Sequence, residues 1–131
     1  MKKMFLVMAA SICLLLSCSK SMPSIDNQTF TIVELNGVAL SGNEMKTPAI
    51  SFEGDRVNAT VGGNEIFAVY KSEADGTIVF SEGGSTKMAV PAELREDEFI
   101  EAFNKVARYT YEDGELCLYD AEGKLLIKGV N

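Results

Sequence analysis

The side chains that could carry chemistry are few in type, because the sequence has three cysteines and no histidine. Without histidine, a Ser-His-Asp triad, a Cys-His pair and a histidine-ligated metal site are all excluded. Cys13 and Cys18 lie near the N-terminus, and Cys117 lies alone in the later part of the chain. Cys117 alternates with Leu116 and Leu118, which predicts that it packs on the opposite face of a strand, with no base to activate it.

Carboxylates are the catalytic groups that the composition leaves open. Two of the 19 acidic residues could form a hydrolytic pair ~5–9 Å apart, although no spacing selects such a pair. Gly62-Gly63-Asn64 and Gly83-Gly84-Ser85 lack the lysine and the following helix of a phosphate loop, and both are typical of turns or bulges. Asp75-Gly76 and Asp113-Gly114 are typical of hairpin turns and lack the repeated oxygen ligands of a calcium loop. The sequence therefore predicts no catalytic residue, no metal site and no cofactor.

The first residues have the pattern of a secretory signal. Two lysines precede an apolar run from Met4 to Leu16, which is shorter than the ~20 residues that cross a bilayer. The residues Leu15-Leu16-Ser17-Cys18 resemble the lipobox of bacterial lipoproteins. This resemblance implies a signal peptide over residues 1–17, cleavage before Cys18, and acylation of the Cys18 sulfur (palmitate) and of its new amino group. Several acyl chains hold a protein at a membrane, since each buried CH₂ contributes ~0.8 kcal/mol.

The residues after Cys18 indicate which membrane surface carries the protein. Ser19 stands where an aspartate often retains lipoproteins at the inner membrane, so we expect the cell outer membrane. No acidic run resembling a surface-export signal follows, so we expect the protein to face the periplasm. Residues 18–28 are polar and contain Pro23, which predicts a flexible tether before a single domain over residues 29–131.

The charge of the chain argues against polyanionic partners. The net charge is −7, and the basic residues are scattered without a basic stripe. Binding to nucleic acid is therefore not expected, and the membrane is reached through the lipid on Cys18 alone. We expect a monomer whose partner is an envelope protein or a small ligand.

The elements that would position these residues are mostly short strands. Apolar runs alternate with turn signals such as Asn36-Gly37 and Asp113-Gly114, which favours an antiparallel sheet of sequential hairpins. The predicted strands are residues 29–35, 49–53, 56–61, 66–71, 77–81, 86–90, 108–112, 115–119 and 124–128.

One segment has the spacing of a helix. Phe99, Ala102, Phe103 and Val106 recur at helical spacing, and acidic residues precede them where the helix dipole favours anions. This pattern predicts one amphipathic helix over residues 93–105 that packs on the sheet. The fold class is therefore α+β and mostly β: a curved antiparallel sheet or half-open barrel with one packed helix.

Several stretches together resemble the META domain (HslJ-like) family of small bacterial envelope proteins. They are FTIVELNG at 30–37, GNEIFAVY at 63–70, STKMAV at 85–90, and the helix with Tyr109, Leu116 and Leu118. The resemblance implies the same half-open barrel and a role in stress response or outer-membrane integrity without an established activity. Gly63 and Val90 stand where the family usually has cysteines, which implies that the two positions are neighbours here without a disulfide.

The family-like junction also supplies the candidate site. Asn64, Ser85, Thr86, Lys87 and Met88 could form a contact surface for an envelope partner. Alternatively, their polar groups could serve only to satisfy the backbone of turns and bulges.

The function that the sequence favours is a non-enzymatic envelope lipoprotein that binds a periplasmic partner. A carboxylate-dependent hydrolase and a protease inhibitor that presents one loop are the alternatives.

We predict that Cys18→Ala blocks maturation, because the acylated sulfur is both the cleavage mark and the anchor. Membrane fractionation and the mass of the mature protein check this. A Cys18→Ala protein that is still processed and still membrane-bound would contradict the lipobox assignment.

Overall fold

The structure is a computed structural model, and it describes residues 21–40 and 46–131. In these ranges the chain forms nine strands and one α-helix. The strands are β1 (Thr29–Leu35), β2 (Val38–Ala39), β3 (Ala49–Glu53), β4 (Arg56–Thr60), β5 (Ile66–Ser72), β6 (Ile78–Ser85), β7 (Arg108–Glu112), β8 (Glu115–Tyr119) and β9 (Leu125–Val130); a 3₁₀ turn (Ala92–Leu94) and α1 (Glu96–Phe103) lie between β6 and β7.

The strands form one curled antiparallel sheet. Its order is β6-β5-β4-β3-β1-β9-β8-β7, with β2 paired to β1. The two outer strands meet at one end, where Thr77 bridges Arg108 and the Ile78 N–H donates to the Ala107 carbonyl. The sheet is therefore a half-barrel that carries one helix, which confirms the predicted fold class.

Turn residues explain why the hairpins form where they do. Asn36-Gly37 has φ angles of 52° and 81°, and Asp113-Gly114 has φ angles of 51° and 76°. Both residues of such a turn need positive φ, which asparagine, aspartate and glycine tolerate best. These turns set the registers of β1 with β2 and of β7 with β8.

One strand prediction was wrong between β5 and the helix. Residues 86–90 form no strand, and β6 instead continues through Gly83-Gly84 to Ser85. A bulge makes this possible, because Glu82 and Gly83 both lie opposite Ala68 in β5 and Glu82 takes a φ of 51°. The alternation of apolar and polar residues does not by itself reveal a bulge, in which two residues of one strand lie opposite one residue of its partner.

The helix is shorter than the predicted span of residues 93–105. Arg95 has φ 58° and ψ 34°, so it separates the 3₁₀ turn from α1, and Lys105 lies beyond the helix end. A left-handed arginine is costly, and its contacts, described below, compensate for this cost.

Aromatic side chains fill the barrel beneath the helix. Phe103 is 1% exposed, as predicted, and its ring centroid lies 4.7 Å from that of Phe80 on β6. Phe99 lies 6.0 Å from Phe103 and is also buried. Farther into the barrel, Phe52 and Phe30 continue the stack, with their centroids 6.3 Å apart. The helix therefore closes the barrel by inserting one apolar face.

The described part of the predicted tether over residues 18–28 packs on the domain, which corrects that prediction from Ser21 onward. Ile25 is 1% exposed in the core, and the Met22 N–H donates to the Ala74 carbonyl at 2.8 Å. The Tyr70 hydroxyl donates to Asp26, and burial together with this contact raises the pKa of Tyr70. The folded unit therefore begins before Thr29.

Residues 1–17 and Cys18 lie outside the described residues, so the signal peptide and the lipid site stay predictions. Within the described ranges, no helix is long and apolar enough to cross a membrane.

Replacing Phe103 tests the closure of the barrel by the helix. Phe103→Ala should lower the free energy of unfolding by ~3–5 kcal/mol through lost burial and a cavity. Small domains have only ~5–15 kcal/mol in total, so the thermal midpoint should fall sharply. Glu101→Ala on the exposed face of α1 is the matched control. Equal melting of the two variants would mean that the helix does not depend on Phe103.

Candidate functional site

The candidate site begins at a glycine turn after β4. Gly62 has a φ of 115°, and its N–H donates to the Thr60 hydroxyl at 3.0 Å. At Gly63 there is no space for a side chain, because a Cβ there would lie 2.5 Å from Cγ1 of Val90 and 2.9 Å from Oε1 of Glu96. The turn therefore brings the chain directly against the segment that follows β6 and against the start of α1.

The Asn64 side chain joins these segments. Its Nδ2 donates to the Met88 carbonyl at 2.9 Å and to Oε2 of Glu96 at 2.7 Å. Its Oδ1 accepts from the Met88 N–H at 2.7 Å and from the Thr86 hydroxyl at 2.8 Å. An amide offers two donors and two acceptor positions, and all four are used here. Asn64 is 4% exposed, so these bonds form with little competition from water.

Glu96 supports Asn64 from the first turn of α1. Its Oε1 accepts from the Asn64 N–H at 2.7 Å, while its Oε2 accepts from the side-chain Nδ2. Glu96 is 7% exposed, and no described cation pairs with it. The partial positive charge at the start of a helix and the two N–H donors stabilise this buried carboxylate.

Residues 85–91 join the end of β6 to the 3₁₀ turn, and hydrogen bonds hold this segment on one side. The Thr86 N–H donates to the Glu65 carbonyl at 3.0 Å, and Met88 bonds to Asn64 through both backbone groups. Thr86 and Met88 bond towards Glu65 and Asn64. If the direction alternates along the segment as in a strand, the backbone groups of Ser85 and Lys87 point to the other side, away from Asn64. The Met88 side chain is 57% exposed, and Lys87 is also exposed.

A cleft of about 220 Å³ adjoins this segment. Phe67, Ile100 and Phe103 supply apolar lining, and Ser85, Lys87 and Asn104 supply polar lining. The cleft therefore lies between the outer edge of β6 and the end of α1, next to the exposed backbone of Lys87.

The predicted contact residues divide into two groups. Asn64 is buried, and the Thr86 hydroxyl bonds to Asn64 and to the Glu65 N–H, so both serve the backbone and Asn64 cannot belong to an outer surface. Lys87 and Met88 are exposed and Ser85 is half-buried, so a contact surface on these three stays a prediction; Thr86 is also exposed, although its hydroxyl is bonded to Asn64.

Gly63 and Val90 are neighbours, as the sequence predicted. The position of a Cβ on Gly63 lies 3.2 Å from Cβ of Val90, just below the ~3.5–4.5 Å between the Cβ atoms of disulfide-linked residues. The isopropyl group of Val90 occupies the space that a side chain on residue 63 would need. Packing therefore takes the place of a cross-link at this junction.

Sequence reasoning missed Glu96, which it grouped with its acidic neighbours as a response to the helix dipole. No local signal distinguishes Glu96 from Asp97 or Glu98, because its role depends on the distant Asn64. The left-handed Arg95 sets this orientation, since it begins the helix one residue before Glu96.

Arg95 is held by a second polar cluster. Its guanidinium donates to both carboxylate oxygens of Glu98 at 2.9 and 2.8 Å and to the Leu35 carbonyl at 3.0 Å. Asn36 Nδ2 also donates to Glu98 at 2.9 Å. Hydrogen bonds from Arg95 and Asn36 lower the pKa of Glu98 to about 2. This cluster joins the helix start to the β1–β2 hairpin.

Cys117 lies on β8 opposite Thr110 and Lys128, and it is 9% exposed. Burial raises the pKa of its thiol, which disfavours the reactive thiolate. In the described ranges, no group of three or more Cys, Asp or Glu residues could hold a metal ion.

A sequence model of the META domain matches residues 23–129, which is most of the chain and includes the whole junction. The chain belongs to the META domain family. The match begins at Pro23, so it includes the buried Ile25. No functionally curated protein matches the sequence.

Solved structures similar to this META domain support the fold. An NMR structure of a protein from Burkholderia xenovorans is 15% identical with a TM-score of 0.62, covering 82% of this chain and 83% of that chain. A crystal structure of a DUF4847 family protein from Bacteroides vulgatus ATCC 8482 is 18% identical with a TM-score of 0.58. The match covers 81% of this chain and 93% of that chain. At these identities, the likeness concerns the fold alone.

Adding a methyl group at residue 63 tests the close packing of the junction. Gly63→Ala should destabilise the protein by ~1–3 kcal/mol, because the new Cβ overlaps Val90 and approaches Glu96. Adding Val90→Ala removes the closer contact, so the double variant should lose less stability than the two single variants together. Chemical denaturation of all four proteins measures this coupling. Strict additivity would show that residues 63 and 90 are not in contact.

Acid should weaken the Arg95–Glu98 cluster. The folded pKa of Glu98 lies below its ordinary value of 4.5, so its stabilisation is complete above pH 4.5 and is lost as the pH falls towards about 2. Because the Glu98 side chain is 41% exposed, we expect a contribution of no more than ~1 kcal/mol. The difference in urea midpoint between the wild type and Glu98→Gln should shrink below pH 4.5. The exposed Glu101→Gln is the control, and a difference independent of pH would contradict the assignment.

Proposed function

We propose that this META domain is a non-enzymatic, lipid-anchored binding module of the bacterial envelope, and that it presents residues 85–91 to a periplasmic partner. The proposal includes attachment to the outer membrane through Cys18 and a role in envelope integrity or stress response. The lipobox-like sequence at Leu15-Leu16-Ser17-Cys18 supports the location, and residues 85–91 support the binding.

The observation that carries the binding proposal is the contrast between the backbone and the side chain of Met88. Both backbone groups of Met88 are fixed by a buried amide, whereas its thioether side chain is 57% exposed. An exposed apolar side chain on a fixed backbone lowers the conformational entropy lost on binding. Methionine also adapts its shape to a partner surface.

The cleft beside Lys87 extends this surface. The cleft combines apolar side chains of Phe67 and Ile100 with a larger polar surface that includes Ser85, Lys87 and Asn104. Ser85 and Lys87 expose backbone donors and acceptors next to it, so a partner could combine main-chain hydrogen bonds with apolar contact.

Partner recovery from an envelope extract tests this proposal. We expect Lys87→Ala and Met88→Ala to reduce the amount of the partner recovered on the immobilised domain, with thermal midpoints unchanged. Val79→Ala is the matched control, because Val79 is 53% exposed on β6 but lies outside the segment. Equal recovery by all the variants would contradict a contact surface at residues 85–91.

A further inference from the structure

We propose that residues 85–91 bind, in the manner of a substrate, to the active site of a serine protease with an acidic specificity pocket, with Lys87 as the residue that enters that pocket. The inference rests on the proposed function and names the class of its partner. The domain would then act as an inhibitor of trypsin-type proteases.

The direction of the backbone groups carries this inference. A serine protease pairs with an extended chain through the backbone of the residue before the scissile bond and of the residue two positions earlier. Here these residues are Lys87 and Ser85, which alternate with Thr86 and Met88; since Thr86 and Met88 bond to Glu65 and Asn64, the backbone groups of Lys87 and Ser85 are left unbonded by that side. The Lys87 carbonyl is therefore free to enter an oxyanion hole.

The hydrogen bonds on both sides of Lys87 distinguish an inhibitor from an ordinary substrate. Thr86 precedes the Lys87–Met88 bond and Met88 follows it, and both are bonded to Asn64. Hydrolysis would add water to give a carboxylate on Lys87 and an amine on Met88. Asn64 would hold these new termini together, so the reverse reaction would be favoured and the complex would not dissociate. Preorganisation also lowers the entropic cost of binding.

The charge of Lys87 selects the protease class. No described carboxylate lies within ion-pair distance of Lys87, and its side chain is exposed. A trypsin-type pocket has a buried aspartate that requires a lysine or arginine. The exposed Met88 would follow into the apolar region after the scissile bond.

Inhibition of trypsin, measured with a small chromogenic substrate, tests the inference directly. The full-length protein should inhibit trypsin, and Lys87→Ala should weaken inhibition by roughly 100-fold or more, as expected when one partner of a buried charge pair is removed. Lys87→Arg should retain inhibition. Lys71→Ala, which removes an exposed lysine from β5, is the matched control and should behave like the wild type.

Two further variants make the assignment specific. Lys87→Phe should transfer inhibition from trypsin to chymotrypsin, because only the residue in the pocket changes. Asn64→Ala, checked by its melting curve for folding, should be cleaved after Lys87 faster than the wild type. If Asn64→Ala does not fold, the inhibition of trypsin and chymotrypsin by Lys87→Phe tests whether residue 87 enters the specificity pocket.

The inference is overturned if the wild type is cut rapidly after Lys87 without inhibiting, or if Lys87→Ala inhibits as well as the wild type does. If trypsin is not inhibited but Lys87→Ala still reduces recovery of the envelope partner, the assignment to a trypsin-type protease is wrong and the proposed binding at residues 85–91 is retained. If trypsin is not inhibited and Lys87→Ala recovers the envelope partner as well as the wild type does, the proposed function is contradicted too.

Discussion

The hydrogen bonds of Asn64 are the interaction on which the rest of the structure depends. One buried amide joins the turn after β4, the segment after β6 and, through Glu96, the first turn of α1. These three segments are far apart in sequence, and without one another the buried Asn64 amide and the buried Glu96 carboxylate would lack hydrogen-bond partners. An unsatisfied buried polar group costs ~1–3 kcal/mol, so the junction is stable only when all of it forms together. The described residues leave no buried side-chain N or O atom without a partner.

The junction and the barrel support each other. Phe99 and Phe103 enter the barrel only if α1 starts at the correct point, and that start is set by the left-handed Arg95 and by the contact of Glu96 with Asn64. The aromatic packing in turn holds α1 against the sheet, which keeps Glu96 buried. The same arrangement leaves Ser85, Lys87 and Met88 accessible on a fixed backbone. The hydrogen bonds of Asn64 thus fix the backbone of Met88 while its side chain and Lys87 stay exposed. The binding proposal rests on this combination.

Much of the fold could be predicted from the sequence, because its signals are local. Asn36-Gly37 and Asp113-Gly114 specify turns, alternation specifies β1, β7 and β8, and the spacing of Phe99, Ala102 and Phe103 specifies the apolar face of the helix. The position of the bulge at Glu82 and the helix break at Arg95 could not be predicted, because each places a non-glycine residue at a positive φ that no local pattern indicates. The burial of Asn64 was also missed. A polar residue in a glycine-rich stretch suggests a surface loop, and only the folded chain shows that Met88 and Glu96 surround it.

The central claim is that Asn64 holds the backbone of Met88 while Lys87 remains free. Amide hydrogen exchange of the folded domain, measured by NMR residue by residue, tests this most directly. The Thr86 and Met88 amides should exchange at least ~10-fold more slowly than the Lys87 amide, because the first two donate to Glu65 and Asn64 and the third faces solvent. A Met88 amide that exchanges as fast as that of Lys87 would contradict the claim.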